Sequence, residues 1–121
     1  MTISEATLGG AIIVSAQGRI DMSNSEDFKD ALMAALAGAG AAVIVDVAGV
    51  DYISSAGLRS LMIALRSAKA EGKAFGVAAL SPLVLEIFTI SRFNLVFALY
   101  AGVRDAVAAL SPDSLGQFDA S

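Results

Sequence analysis

Two adjacent serines, Ser54 and Ser55, are the side chains of this sequence best placed to do chemistry. They stand at the predicted start of a helix, and three carboxylates, Asp21, Asp46 and Asp51, lie in the segments before them. A serine at a helix start can cap the helix. It can also carry a phosphate, because free backbone N–H groups and the positive end of the helix dipole tolerate negative charge there. The pattern therefore predicts a helix cap, a modification site, or both.

The composition excludes most enzymatic chemistry. The sequence contains neither histidine nor cysteine, so it offers no disulfide, no thiolate, no Ser-His pair and no zinc site of the usual type. A hydrolase that used Ser55 with Asp21 or Asp46 would lack an evident general base. Eight Lys and Arg against 12 Asp and Glu give a net charge of −4, the wrong sign for nucleic-acid binding. We expect a non-enzymatic binding protein with no cofactor, no metal and no nucleic-acid partner.

The length and hydropathy predict where such a protein works. A chain of 121 residues fits one compact domain. Its apolar runs, such as residues 41–45, are far shorter than the roughly 18 to 20 residues that a bilayer helix needs. The N-terminus also lacks the basic and apolar blocks of a signal peptide. We therefore expect a cytoplasmic protein without membrane insertion and, since no long apolar segment stands out, a monomer.

Apolar segments of strand length alternate with segments of helical periodicity. Ser23 with Glu26 three residues later forms a capping-box pattern, which is typical of a helix start. Ser81-Pro82 is typical of another helix start, and Gly49 predicts a turn. The predicted strands cover residues 3–8, 11–17, 42–47, 75–80 and 95–100, and the predicted helices begin near residues 23–26, 54–55, 81–82 and 103.

This order of elements predicts an α/β fold. We expect a mixed, mostly parallel β-sheet of four to five strands with about four α-helices and a β-hairpin at its N-terminal edge. A single domain should cover residues 1–110. Residues 111–121 are expected to form a flexible C-terminal tail.

The stretch from Val43 to Leu58 resembles the STAS domain family, whose founding members are the bacterial anti-sigma factor antagonists. In that family a strand ends in an aspartate and a short loop follows. A serine two residues before a Gly-Leu pair then opens the next helix, and this serine is the one phosphorylated. The resemblance implies that Ser55 is the phospho-acceptor.

Other residues match the family pattern around this serine. Asp46 matches the strand-ending aspartate, and Asp21, in Gly18-Arg19-Ile20-Asp21, matches an aspartate that lies close to the phosphorylation loop. Ser54 stands where many sigma-regulating members have aspartate, so it is the alternative acceptor. The phosphorylation loop and partner-binding surface implied by the resemblance comprise Asp21, Asp46, Asp51, Ser54, Ala56, Gly57, Leu58, Arg59 and Ser60.

The resemblance also implies a function. An anti-sigma factor antagonist binds an anti-sigma factor with serine kinase activity while the acceptor serine is unmodified, and so frees a sigma factor. The kinase supplies ATP and phosphorylates the serine, which releases the complex, and a serine phosphatase restores binding. The alternative is a non-enzymatic STAS subunit of a lipid-transport ATPase or of a stress-signalling complex.

The second predicted helix carries a stripe of small residues and a basic edge. Gly57, Ser60, Ala64 and Ser67 lie on one side at i, i+3, i+7 and i+10. The stripe either packs against a neighbouring helix of the same domain or forms a docking groove that leads away from Ser55. The basic edge, Arg59 and Arg66, either contacts an acidic partner or is simply a solvated face.

Overall fold

A computed structural model describes residues 1–120, and strands and helices alternate along it in the predicted order. None of these helices is long and apolar enough to cross a membrane. The strands are β1 Thr2–Leu8, β2 Ala11–Ile20, β3 Ala42–Ile53, β4 Ala74–Ala78 and β5 Ala98–Tyr100. The helices are α1 Ser25–Leu36, α2 Ser55–Ala70, α3 Pro82–Ile90, α4 Val103–Leu110 and α5 Leu115–Ala120, with short 3-10 turns at Phe93–Leu95 and Pro112–Ser114.

The strands form one mixed sheet in the order β1-β2-β3-β4-β5. The first two strands pair antiparallel across a tight turn in which Gly9 has φ of 60°, a conformation that favours glycine. All other neighbours pair in parallel, joined by helical crossovers. The predicted fold class, including the N-terminal hairpin, is confirmed.

The sheet buries a core on each face. The larger core lies under α1, α2 and α3, and it includes Phe28, Leu61 and Phe88. The smaller core lies on the other face, where Ile44 of β3 packs with Val107 of α4. Successive strand residues point to opposite faces, so the continuous apolar run of β3 is explained by burial on both sides.

The predicted turn at Gly49 is wrong. Strand β3 runs through this residue to Ile53, and it stays paired with β2 across two shifts of register. A Cβ at Gly49 would lie 2.7 Å from the Gln17 Cγ, so glycine serves here for close approach of the strands rather than for chain reversal. The extended β3 carries the chain directly to the two serines.

The prediction of a capping box formed by Ser23 and Glu26 at the first helix is also wrong. Helix α1 begins at Ser25, with Asn24 as the preceding residue and no side-chain cap. The Ser23 hydroxyl donates to Asp21 Oδ1 at 2.6 Å instead. The Asn24 side chain accepts from the Asp21 N–H and donates to the Arg19 carbonyl. These bonds fold the chain after β2 into a compact turn that precedes α1.

The end of the sheet differs from the sequence-based expectation. A strand was expected over residues 95–100, but β5 covers only the last three of these. The preceding residues Phe93–Leu95 form a 3-10 turn, in which the Phe93 ring packs against Phe88 and Phe97. Aromatic packing into the larger core therefore outweighs the β propensity of this segment.

The segment expected to be a flexible tail is folded over residues 112–120, while Ser121 lies outside the described residues. Ser114 is buried, and its hydroxyl accepts from the Gly10 N–H at 3.0 Å. Leu115 and Phe118 pack on the smaller core. Burial of these two apolar side chains favours folding of the segment against the sheet.

Gly57 lets α2 lie directly on the ends of β2 and β3. A Cβ at this position would come within 2.7 Å of Ile53 Cγ1 and 2.8 Å of Ile20 Cγ2. Both isoleucines are fully buried, so neither side chain has room to withdraw. The missing side chain at Gly57 thus sets how closely the first turn of α2 approaches the sheet.

We predict that Gly57→Ala lowers the free energy of unfolding by about 1–3 kcal/mol, because the added methyl overpacks this contact. The matched control is Gly116→Ala in α5, where a Cβ would meet nothing within 4 Å. There the substitution should be neutral or stabilising by up to about 1 kcal/mol through helix propensity. Urea denaturation of both variants measures the difference, and an equal effect at the two positions would contradict the packing role of Gly57.

Candidate functional site

The two serines lie where the carboxyl ends of β2 and β3 meet. The last residues of these strands, Ile20 and Ile53, are paired in the sheet. The Ser54 N–H extends the ladder by donating to the Ile20 carbonyl at 2.9 Å. Asp21 and Ser54 therefore emerge side by side from the sheet, and the sequence-based expectation that Asp21 lies near the serine loop is met by the register.

Ser54 and Ser55 have different environments although they are adjacent. Ser54 is the N-cap of α2, half-buried, and its hydroxyl oxygen accepts from the Gly57 N–H at 3.3 Å. Ser55 is the first residue of the helix and is exposed, and its hydroxyl takes part in none of the hydrogen bonds found in residues 1–120. The capping role and the accessible hydroxyl thus belong to different residues.

The Asp21 carboxylate is held in place by its neighbours. It accepts from the Ser23 hydroxyl at 2.6 Å, the Ser23 N–H at 2.9 Å and the Arg19 guanidinium at 3.2 Å. The Ser23 hydroxyl bond, followed by the backbone bond, lowers the pKa of Asp21 from its usual value. Arg19 also lies over the Tyr52 ring, 4.2 Å from its centroid. A fixed, ionised carboxylate therefore stands next to the serine loop.

The other two aspartates of the predicted site are placed differently. Asp51 is exposed and occupies a bulge in β3, between the paired residues Val50 and Tyr52, four positions before Ser55. Asp46 lies in the middle of β3, where its carboxylate accepts from the Ser15 hydroxyl and the Ala48 N–H.

Asp46 is therefore a correction to the predicted site. It neither ends the strand nor lies in the serine loop, since it stands seven positions before Ile53, roughly 20 Å of extended chain. Its side chain also points away from the face that α2 covers, because its neighbours Val45 and Val47 point into the larger core. Its hydrogen bonds indicate a structural role within the sheet.

The small residues of α2 face inward. Gly57 and Ala64 are buried, and the buried Ser60 hydroxyl donates to the Ser25 carbonyl of α1 at 2.9 Å. Leu58 is likewise part of the larger core. Of the two alternatives for the stripe, the structure favours packing of α2 against α1 and the sheet, with only Ser67 half-buried. Of the residues implied at the helix start, Ser55 and Arg59 are exposed and Ala56 is half-buried.

A surface groove of about 670 Å³ lies on the exposed side of α2. Ser55 stands at its start and the 3-10 turn contributes Phe93 from across the groove. Its lining residues are Ser55, Arg59, Met62, Ile63, Arg66 and Phe93. We name this feature the arginine groove.

Ser55 and Arg59 also line a second groove, between α2 and α1. Met22, which is 83% exposed, forms part of its rim, and Glu26 and Lys29 of α1 lie along it as an ion pair of 2.9 Å. The sequence reasoning missed Met22, Ile63 and Phe93. Helical spacing could have indicated Ile63, which lies eight positions after Ser55, whereas nothing local indicates the other two.

The chemistry available at this site is binding and modification. Within residues 1–120 no group of three or more His, Cys, Asp or Glu is arranged to hold a metal ion. The Ser55 hydroxyl contacts no general base among the same residues. An exposed hydroxyl beside fixed charges and exposed apolar side chains suits a surface on which a covalent anion changes what can bind.

Comparison with known proteins gives the family. The family model described as "Mlab, STAS domain" matches residues 3–99. The chain is 31% identical over 109 residues to BtrV of Bordetella bronchiseptica, which bears the name of an anti-sigma factor antagonist, with 90% of this chain and 93% of BtrV covered.

Two solved structures have the same fold. An anti-sigma factor antagonist from Mycobacterium paratuberculosis aligns with a TM-score of 0.83 and 27% identity, covering 90% of this chain and 92% of that one. The anti-sigma factor antagonist SpoIIAA in its unphosphorylated form aligns with a TM-score of 0.78 and 16% identity, covering 92% and 97%. With the family match extending over most of its length, this chain belongs to the STAS domain family.

Proposed function

We propose that this protein is an anti-sigma factor antagonist whose binding to its anti-sigma factor is switched by phosphorylation of Ser55. The observation that carries the proposal is the exposed, unbonded hydroxyl of Ser55 at the first position of α2. The relative BtrV and the Mycobacterium paratuberculosis structure, both above 25% identity, bear the name of this function. The Bacillus protein SpoIIAA, which shares the fold, has been solved in unphosphorylated and phosphorylated forms.

The fold can accept a phosphate at Ser55 without rearrangement. The hydroxyl gives up no hydrogen bond within residues 1–120, the first turn of α2 itself contains no acidic residue, and the fixed carboxylate beside the loop is that of Asp21. Phosphorylation adds about 1.5 to 2 negative charges and three acceptor oxygens. Near a surface such a charge shifts a binding equilibrium by about tenfold or more. The modification therefore changes the binding surface and leaves the core unchanged.

In this proposal the partner supplies the catalysis. The anti-sigma factor is a serine kinase that brings ATP, and a separate serine phosphatase removes the phosphate. The protein itself acts in the cytoplasm as a monomeric, non-enzymatic binding protein. Ser54 and Asp21 would hold the loop in shape, since both are engaged in hydrogen bonds around it.

The alternative, a STAS subunit of a lipid-transport ATPase or a stress-signalling complex, would use the same loop toward a different protein. We favour the anti-sigma factor antagonist because that name is carried by relatives that align over about nine-tenths of the chain. Co-purification with a membrane ATPase in place of an anti-sigma factor would decide for the alternative.

We predict that Ser55→Ala binds the anti-sigma factor like the unmodified protein, while Ser55→Asp binds about tenfold more weakly because it places a negative charge in the interface. The measurement is a calorimetric titration against each purified anti-sigma factor kinase of the same organism. Ser4→Asp is the control, since it adds the same charge on β1 at the edge of the sheet. Equal binding by Ser55→Ala and Ser55→Asp would contradict the switch.

We predict further that the kinase phosphorylates Ser55 and not Ser54. Ser55→Ala should abolish phosphate incorporation, measured by intact mass and site mapping after incubation with kinase and ATP. Ser54→Ala should still be phosphorylated, but its free energy of unfolding should fall by about 1 kcal/mol through loss of the helix cap. Phosphate on Ser54 of the wild-type protein would reverse the assignment.

A further inference from the structure

Arg59 and Arg66 form no ion pair within residues 1–120, in a protein of net charge −4. The ion pairs found in residues 1–120 join Arg19 to Asp21, Lys29 to Glu26 and Arg104 to Asp119. Neither arginine of the arginine groove takes part in them. Both side chains are exposed, so their guanidinium groups are free to bind an anion from outside the domain.

The arginine groove combines these charges with apolar surface. Along α2 the exposed positions Ser55, Arg59, Ile63 and Arg66 follow one another at steps of three to four residues, so they share one side of the helix. Phe93 faces them from the 3-10 turn. Ile63, which lies between the two arginines along the helix, is 39% exposed. Charged edges around apolar side chains complement an amphipathic segment that carries carboxylates.

A second copy of this chain is a poor occupant of the groove. In a two-fold symmetric contact the same patch lies on both subunits. Such a contact would bring arginines of like charge together, at a loss of free energy. An acidic segment of another protein meets both features of the groove at once.

We propose, on the basis of the function above, that the arginine groove binds an acidic, amphipathic segment of the anti-sigma factor, and that phosphate on Ser55 displaces this segment by pairing with Arg59. The proposal assigns the switch to competition between two anions for one guanidinium.

The spacing of the two residues supports this competition. Ser55 and Arg59 are four positions apart on α2 and line the same two grooves. Positions i and i+4 of a helix are neighbours, and the planar guanidinium matches phosphate oxygens with paired hydrogen bonds. The phosphate would be attached to the same helix, so it acts at a high effective concentration that a partner's carboxylate does not have.

The pairing can be tested in the isolated protein. Phosphoserine is introduced at position 55 during synthesis, and the second pKa of the phosphate is measured by phosphorus NMR at low salt. Arg59→Gln should raise this pKa by about half a unit to one unit, because a nearby cation favours the dianion. Lys69→Gln, which removes one exposed positive charge near the end of the same helix, should leave it unchanged. An unchanged phosphate pKa in Arg59→Gln would overturn the pairing.

Binding of the kinase that phosphorylates Ser55 tests the acidic segment. With unphosphorylated protein, Arg59→Gln and Arg66→Gln should each weaken binding about tenfold, and Arg59→Lys should restore part of the loss. Lys69→Gln should bind as the wild type does, and thermal melts should show that all variants are folded. If phosphorylation still releases the kinase but both Arg→Gln variants bind normally, this inference fails and the proposed function stands. If no anti-sigma factor binds, both fail.

Discussion

The position of the Ser55 hydroxyl depends on how closely α2 approaches the ends of two parallel strands. Ile20 and Ile53 close the β2–β3 ladder, and Gly57 lets the first helical turn lie directly on them. The Ser54 cap then fixes the direction in which the helix leaves the sheet. A larger side chain at Gly57 would lift this turn, and the hydroxyl would move with it. Buried, apolar contacts therefore determine the position of the exposed Ser55 hydroxyl.

Neighbouring residues in this segment have separate roles. Ser54 caps the helix, Gly57 and Leu58 pack, and Ser60 bonds to α1. Ser55 and Arg59 remain at the surface, and their side chains make no hydrogen bond or ion pair to any other residue between 1 and 120. Because the structural contacts do not use the exposed groups, the surface can change its charge while the core stays the same. This separation is what the switch proposed for Ser55 requires, because Ser55 and Arg59 take no part in the packed core.

Features that depend on neighbouring residues could be predicted from the sequence, whereas features that depend on contacts between distant segments could not. The α2 and α3 starts and the N-terminal hairpin follow from serine, proline and glycine placed beside periodic apolar residues. The continuation of β3 through Gly49 depends on pairing with β2, and the fold of residues 112–120 depends on a hydrogen bond to Gly10 and on packing against the smaller core. Asp46 differs for the same reason: the apolar run predicts a strand that ends near this residue, whereas pairing with β2 extends β3 to Ile53. The arginine groove also needs Phe93, which reaches α2 only through the tertiary fold.

The contact between Ser114 and Gly10 fixes the C-terminal helix at one end of the molecule. Gly10 precedes β2, whereas the serine loop follows it, and the ten residues of β2 span about 33 Å. Ser114, just before the C-terminal helix, therefore lies by the end of the sheet opposite Ser55. The seat of the C-terminal segment on the sheet and the exposed hydroxyl of Ser55 are therefore well separated, so a change that loosens one of them need not disturb the other.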